Sequence, residues 1–287
     1  MSMSSPQNGS STMHRDKALL FRESHRSGRP LLLANAWDAA SARVAEDAGA
    51  VAVATTSAGV AWSLGAADGD RLDRDPALEL IGRVVAAVDV PVTADIESGY
   101  ADDPDGVAVT VGGVLAAGAV GINLEDAHHS GPEPLRPVAE QADRIAAARQ
   151  AADASSLFIN ARIDTYLLAV GDPHDRLSDT LKRAEAYIAA GADGVFVPGV
   201  TDPETVSALV EGLNAPLNVL AGPGAPDVAT LAGLGVARIS LGSSIAQAAY
   251  ALVRRSTQEL LATGTYGTLS EALDYGELNA LLRPASR

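Results

Sequence analysis

Val90-Pro-Val-Thr-Ala-Asp95, Pro104-Asp-Gly-Val-Ala-Val-Thr-Val-Gly-Gly-Val-Leu-Ala-Ala117, Gly118-Ala119 and Val120-Gly-Ile-Asn-Leu124 read in order as strand, helix, turn and strand. The two outer pieces are short apolar runs rich in β-branched residues, which suit a buried parallel strand. Proline opens the helical piece, where its missing N–H leaves no hydrogen bond unmade. Glycine between Ala117 and Ala119 ends the helix in a left-handed turn at little steric cost. The same Ala-Gly-Ala stands at 48–50 and again at 190–192.

Working outward from this unit, strands are predicted at 31–35, 51–55, 90–95, 120–124, 157–161, 193–198, 216–220 and 237–241. Helices are predicted near 38–48, 75–87, 104–117, 138–151, 176–190, 203–212, 225–234 and 244–262. Eightfold strand–helix alternation predicts an α/β fold of the (β/α)8 TIM-barrel type. The competing doubly wound sheet lacks a Gly-x-Gly-x-x-Gly loop after the first strand. Residues 56–74 form a long loop after the second strand, and 265–283 carry a further helix with no strand left to cover. Residues 15–287 read as a single barrel domain that includes these C-terminal helices. Residues 1–14 are polar and read as a disordered tail.

Of the 287 residues, 47% are apolar and only 4% aromatic, so the core is built mainly from Ala, Val and Leu. The formal charge of −15 argues against nucleic acid, whose phosphates need a basic footprint. It leaves a small anionic substrate open, because a pocket can carry charge opposite to the whole. With no cysteine, disulfides, thiolate metal sites and thiol nucleophiles are excluded, and a cytoplasmic location is the expectation. No apolar run reaches the ~20 residues of a membrane span, so no membrane partner is expected.

Barrel active sites lie at the C-terminal ends of the strands. There the sequence delivers Thr55 to Gly59, Asp95 and Glu97, Glu125 and Asp126, and Arg162 and Asp164, with Asp68 in the long second loop. Residues two apart on a strand face the same way, so Asp95 and Glu97 are expected to converge at the mouth. Carboxylates without His or Cys are hard ligands, which points to Mg²⁺, with Mn²⁺ as an alternative. The planar fork of Arg162 suits a substrate carboxylate. Two readings stand for Glu125 and Arg162 at this level: a structural ion pair, or working groups of the site. His128 and His129 follow the fourth strand and are proton-donor candidates, with a solvated polar loop as the competing reading. Asn35, Asn123, Asn160 and Asn218 at strand ends either orient ligands and waters or cap loops; Asn218 is assigned to substrate binding.

Several motifs occur in order: Thr56-Ser-Ala-Gly59, Ser63-Leu-Gly-x-x-Asp68, Ala94-Asp-Ile-Glu-Ser-Gly-Tyr100, Ile122-Asn-Leu-Glu-Asp126, Asn160-Ala-Arg-Ile-Asp164 and Arg183-Ala-Glu-Ala-Tyr-x-x-Ala-Gly-Ala-Asp193. The series covers most of residues 30–262 and resembles the isocitrate lyase / phosphoenolpyruvate mutase superfamily. That resemblance implies Mg²⁺, an enolpyruvate-type intermediate, and a dimer of dimers whose last helix is swapped between neighbours. It implies that Asp95, Glu97, Glu125 and Asp68 serve the metal and its water shell. By the same resemblance Arg162 binds substrate, and Ser57, Ala58 and Gly59 hold its carboxylate and developing oxyanion.

The loop after the fourth strand departs from the family. Lyases acting on isocitrate or methylisocitrate carry a cysteine there, and phosphonate enzymes a Glu-Asp-Lys; this chain has Ala127-His-His-Ser-Gly-Pro-Glu-Pro-Leu-Arg136. The chain therefore looks most like the cysteine-lacking branch that includes oxaloacetate decarboxylase. The expected activity is a carbon–carbon lyase or decarboxylase on a small α-keto or dicarboxylic acid, with Arg162, Glu125, His128 and His129 as catalytic groups. The alternatives are phosphorus–carbon bond chemistry on a phosphonate and a barrel that binds an α-keto acid without turnover.

Overall fold

The computed structural model describes residues 7–26, 28–152 and 156–283. Strands β1 (Leu31–Ala36), β2 (Val53–Thr55), β3 (Val92–Asp95), β4 (Gly121–Glu125), β5 (Phe158–Arg162), β6 (Gly194–Val197), β7 (Leu217–Leu220) and β8 (Arg238–Ser240) are all parallel and close into a barrel in chain order. Closure is made by β8 on β1, with Leu31 opposite Arg238 and Leu33 opposite Ser240. The predicted (β/α)8 barrel is the observed fold.

Outer helices α2 (Ala39–Asp47), α4 (Arg74–Ala87), α5 (Pro104–Ala117), α6 (Val138–Ala151), α7 (Arg176–Ala189), α8 (Pro203–Gly212) and α9 (Val228–Gly233) return the chain between strands. Each of α2, α5, α8 and α9 is N-capped by an aspartate, namely Asp38, Asp103, Asp202 and Asp227, which satisfies an otherwise orphan helix N–H. Gly118 ends α5 at φ 91°, and Gly49 and Gly191 adopt the same left-handed turn. The repeated Ala-Gly-Ala is thus the punctuation it was read to be.

Alternation along the strands sorts side chains between shell and axis. Ile122 and Leu124 of β4 and Ile159 and Ala161 of β5 pack outward with Val107, Val111, Val114 and Ile145 in the main core. Between them, Asn123, Glu125, Asn160 and Arg162 turn toward the axis, with Glu125 paired in register with Arg162 and Asn123 with Asp95. The barrel interior is consequently polar over much of its height.

Composition predicts a tail over 1–14, but helix α1 (Gln7–Ser24) already begins at Gln7. Its second half docks under the N-terminal ends of the strands. Phe21 is fully buried and meets Phe158 edge-on at 5.8 Å, and Arg22 pairs with Asp193 at 2.6 Å. Burying one such aromatic contributes about 2–3 kcal/mol. Once this half is fixed, the hydrogen-bond ladder extends back through polar residues that show no apolar period. Residues 1–6 of the expected tail lie outside the described residues.

Two further elements differ in detail from expectation. The long loop 56–74 contains a two-turn helix, α3 (Ser57–Ser63), too short and too rich in glycine and serine for a periodic signal. The single helix expected over 265–283 is a 3-10 turn at Gly267–Leu269 followed by α11 (Tyr275–Leu281), capped by Asp274. Before them, α10 (Ser244–Thr263) buries Ala246 alone and leaves Leu252, Val253, Leu260 and Leu261 exposed. No described helix is long and apolar enough to cross a membrane.

Candidate active site

Asp95 ends β3, and its backbone N–H donates to Thr55 Oγ1 at 2.9 Å, which locks it against β2. Its Oδ2 accepts from Ser57 Oγ at 2.9 Å and from the Ser57 N–H at 3.2 Å. Its Oδ1 is buried with no partner among the described residues. A buried carboxylate oxygen is costly to leave bare, so this atom points to a missing cation or water.

Arg162 ends β5 opposite Glu125. Its Nη1 lies 2.6 Å from Glu125 Oε2 and its Nε donates to Asp164 Oδ1 at 2.8 Å. Burial alone would lower the guanidinium pKa, but Glu125 and Asp164 outweigh it and hold the group firmly charged. Nη2 has no partner among the described residues. Asp95, Arg162, Asp68, Ser57, Ala58 and Asn123 share one cavity of about 180 Å³ at the barrel mouth. Ser57 and Ala58 therefore stand where the sequence places them.

Both oxygens of Glu125 are occupied, since Oε1 lies 2.6 Å from His129 Nε2 while Oε2 meets Arg162. Burial pushes its carboxyl up to about 7 against the opposing pull of Arg162 and His129. His129 is raised in turn by that hydrogen bond, so the pair holds a proton strongly. Asp68 is open to solvent on its outer side. Desolvation on its cavity side, and then the neighbouring charge of Asp95, raise its carboxyl.

Glu97 is not where strand alternation puts it. β3 stops at Asp95, and the backbone at Glu97 turns left-handed at φ 50°, which redirects the side chain. Its Oε2 accepts the backbone N–H of Asp70 in the long second loop, and it does not line the cavity. Burial pushes this carboxyl up to about 8, the Asp70 N–H opposing and nearby aspartates adding to the rise. Asp70 at φ 55° and Tyr100 at φ 51° share the same rare conformation beside it. Such states persist only where surroundings over-determine them. Arg144, fully buried, supplies part of that hold by donating to the carbonyls of Ser98 and Ala101.

Five other sequence-assigned residues are absent from the cavity lining: Asn218, Gly59 and His128, together with Glu125, which abuts the cavity through Arg162, and His129, which lines a neighbouring pocket with Asp70 and Ser98. Asn218 lies beneath the cavity, 1% exposed, with its Nδ2 spent on the carbonyls of Val219 and Arg238 and its Oδ1 accepting from Asn160, so it offers substrate no donor. Gly59 sits inside α3, where an added Cβ would come within 2.8 Å of Trp37 and Thr56, so the position admits no side chain without a shift of its neighbours. The His128 ring packs over Gly131 and does not line the cavity. Asp126 faces outward and is held by Tyr187 and Arg183, a pillar behind the site. Residues that sequence reasoning did not single out are Phe196 and Ser240, which line the cavity, while Thr55, delivered at its strand end as expected, anchors Asp95.

Among the described residues, no group of three or more His, Asp or Glu is arranged as a metal cluster. The donor set nevertheless fits one ion class. Mg²⁺ keeps most of its waters and needs only one or two carboxylates. Asp95, with its bare Oδ1, and Asp68 on the same cavity meet that requirement, whereas both oxygens of Glu125 are engaged and Glu97, whose Oε1 is also without a partner, lies off the cavity.

A family model described as phosphoenolpyruvate phosphomutase matches residues 21–261. An uncharacterized protein of Mycobacterium tuberculosis is 41% identical over 223 residues, covering 78% of this chain and 81% of its own. Oxaloacetate decarboxylase of Pseudomonas putida is 31% identical over 231 residues, covering 78% and 77%. The crystal structure of a candidate phosphonomutase from Burkholderia cenocepacia is 47% identical, with a TM-score of 0.81 over 85% of this chain and 99% of that one. Phosphonopyruvate hydrolase, solved with oxalate and Mg²⁺, is 25% identical, with a TM-score of 0.81 over 92% and 94%.

Proposed function

The chain belongs to the phosphoenolpyruvate phosphomutase family, and from that premise we propose that it is a Mg²⁺-dependent carbon–carbon lyase or decarboxylase acting on a small α-keto or dicarboxylic acid through an enolate. The observation that carries the reading is one cavity of about 180 Å³ in which Arg162 and the bare Oδ1 of Asp95 stand together, in a chain without a thiol. Similarity to oxaloacetate decarboxylase supports the bond type, and a Mg²⁺ complex among the related structures supports the ion.

Arg162 Nη2 binds the substrate carboxylate, while Glu125 and Asp164 keep the guanidinium in one plane. Asp95 and Asp68 would hold Mg²⁺, which supplies Lewis-acid polarisation of the keto oxygen when bound. In decarboxylation of a β-keto acid, the electrons of the breaking C–C bond pass into the enolate and CO₂ departs. The cationic edge of Arg162 steadies the negative charge as it forms. A proton held at the His129 Nε2–Glu125 Oε1 contact then returns to carbon, and no nucleophile is needed. The exposed apolar residues of α10 support an assembly in which this helix packs on a second copy, as in a dimer of dimers.

The decisive assay is a panel of α-keto acids and phosphonates with Mg²⁺, followed by mass spectrometry and phosphorus-31 NMR. Pyruvate and CO₂ from oxaloacetate are the expected products. Phosphate released from phosphonopyruvate would move the assignment to phosphorus–carbon chemistry, which the likeness to a candidate phosphonomutase favours as the second reading. Mg²⁺-dependent oxalate binding with no turnover of any substrate would make the barrel a binder.

A further inference from the structure

At the floor of the cavity four side chains form a row whose polarity is fixed from both ends. Asn218 Nδ2 donates to the carbonyls of Val219 at 2.9 Å and Arg238 at 3.2 Å. Carbonyls only accept, so this amide has one permitted orientation and its Oδ1 must face Asn160. Asn160 Nδ2 answers by donating to Asn218 Oδ1 at 3.1 Å and to Asn123 Oδ1 at 2.9 Å. From the other side, Arg238 Nη2 donates to the same Asn123 Oδ1 at 3.1 Å. A guanidinium has no acceptor atom, so it too demands oxygen at that place.

Arg238 sits 1% exposed inside the barrel, its guanidinium carbon 6.0 Å from the ring centroid of Phe21, the α1 aromatic at the lower end, and it makes no ion pair among the described residues. Burial lowers its pKa to about 9, which leaves it charged at neutral pH and still only a donor. The consequence falls on Asn123, which lines the cavity and is paired in register with Asp95. With Oδ1 held from below by two donors, Nδ2 is turned upward and has no partner among the described residues.

We infer that Asn123 is a specificity-determining residue whose Nδ2 donates to an oxygen of the substrate, and that Arg238 is the positioning residue that fixes this direction. The inference rests on the oxo-acid reading above and deepens it. A metal-bound water has given one lone pair to the ion and the other is made less basic, so it acts chiefly as a donor and is a poor partner for an N–H. A carbonyl, carboxylate or phosphonate oxygen is a good one. The floor thus reads an acceptor and selects oxo-acids over analogues, such as amino acids, that bring N–H groups to the same place.

The test is Mg²⁺-dependent binding of oxalate by calorimetry, together with kcat/KM on whichever oxo-acid is turned over. Asn123→Asp replaces the donor with an acceptor of equal size and gives Arg238 a carboxylate partner, so folding is retained. It is expected to weaken oxalate binding about tenfold or more without lowering Tm, the cost of facing an anion with unpaired acceptors. Arg238→Met removes one of the two donors to Asn123 Oδ1 and so loosens the amide; it is expected to weaken binding several-fold in the wild-type background but to add nothing to Asn123→Ala. Arg238→Lys, which still donates, is expected to restore most of the loss. Oxalate binding by Asn123→Asp within about twofold of wild type overturns the inference alone. If wild type binds no oxalate and turns over no oxo-acid, the functional reading falls and takes this inference with it.

Discussion

Glu97 Oε2 accepts the backbone N–H of Asp70, and that bond joins the connection after β3 to the loop that brings Asp68 to the cavity. The residue that the family resemblance assigns to the metal and its water shell thus holds a loop through one of its oxygens. The length of a glutamate side chain supplies the reach.

Glu97→Ala is therefore expected to release residues 64–73 while leaving Asp95 in place. Amide exchange across that loop should rise about tenfold, and kcat/KM should fall more than Mg²⁺ affinity does. Unchanged exchange at Asp70 in the variant would remove the tether from the account.

Arg162→Ala and Asp95→Ala are expected to differ in what they lose. The first should abolish oxalate binding and cut kcat/KM by about 10² or more, in line with loss of one preorganised charge-stabilising donor. The second should raise the Mg²⁺ concentration needed for half-maximal activity. Turnover that persists in both variants at wild-type levels would place the chemistry elsewhere.

His25 supplies a pH dependence independent of the cavity. Burial, with Arg238 and Arg22 adding, lowers its pKa from 6.5 to about 3, while Nδ1 is engaged by the Phe21 carbonyl. The unfolded chain binds the proton more readily, so this contribution is complete above pH 6.5 and is lost as pH falls toward 3. Its full size is on the order of 4 kcal/mol. Between pH 7.5 and 5, chemical denaturation should show wild type losing more stability than His25→Leu. Buried Glu97, Glu125 and Asp126, whose pKa values are raised, work in the opposite sense but cancel in the difference between the two proteins. Parallel pH curves would contradict the assignment.

The exposed Leu252, Val253, Leu260 and Leu261 of α10 predict an oligomer in solution. Light scattering should report a tetramer, and removal of residues 265–283 should reduce it. A monomer unaffected by that deletion would rule out the swapped-helix arrangement.

The barrel was legible because eight apolar runs alternate with amphipathic stretches, three of the runs being introduced by the same Ala-Gly-Ala turn. Asp95, Glu125 and Arg162 were legible because each closes such a run. Glu97 was misread because the two-residue alternation holds only while the strand continues, and a left-handed glutamate carries no local signature. Asn218 is spaced like a ligand along its strand, but three-dimensional neighbours bury it beneath the cavity and consume both of its N–H donors. Arg238 went unmarked because one basic residue in Ala-Arg-Ile-Ser-Leu looks like an exposed strand start. Only the closed barrel reveals it as an interior charge.

The amide row beneath the cavity has an evolutionary consequence. Each member's orientation is enforced by its neighbours, so turning the Asn123 amide over would set its Nδ2 against the donors of Arg238 and Asn160. Ligand preference at this point is closed to side-chain rotation and open to substitution. A lineage that exchanges an oxo-acid for a hydrogen-donating ligand must change residue 123 itself, and an acid there is the replacement that leaves Arg238 and Asn160 donating as before.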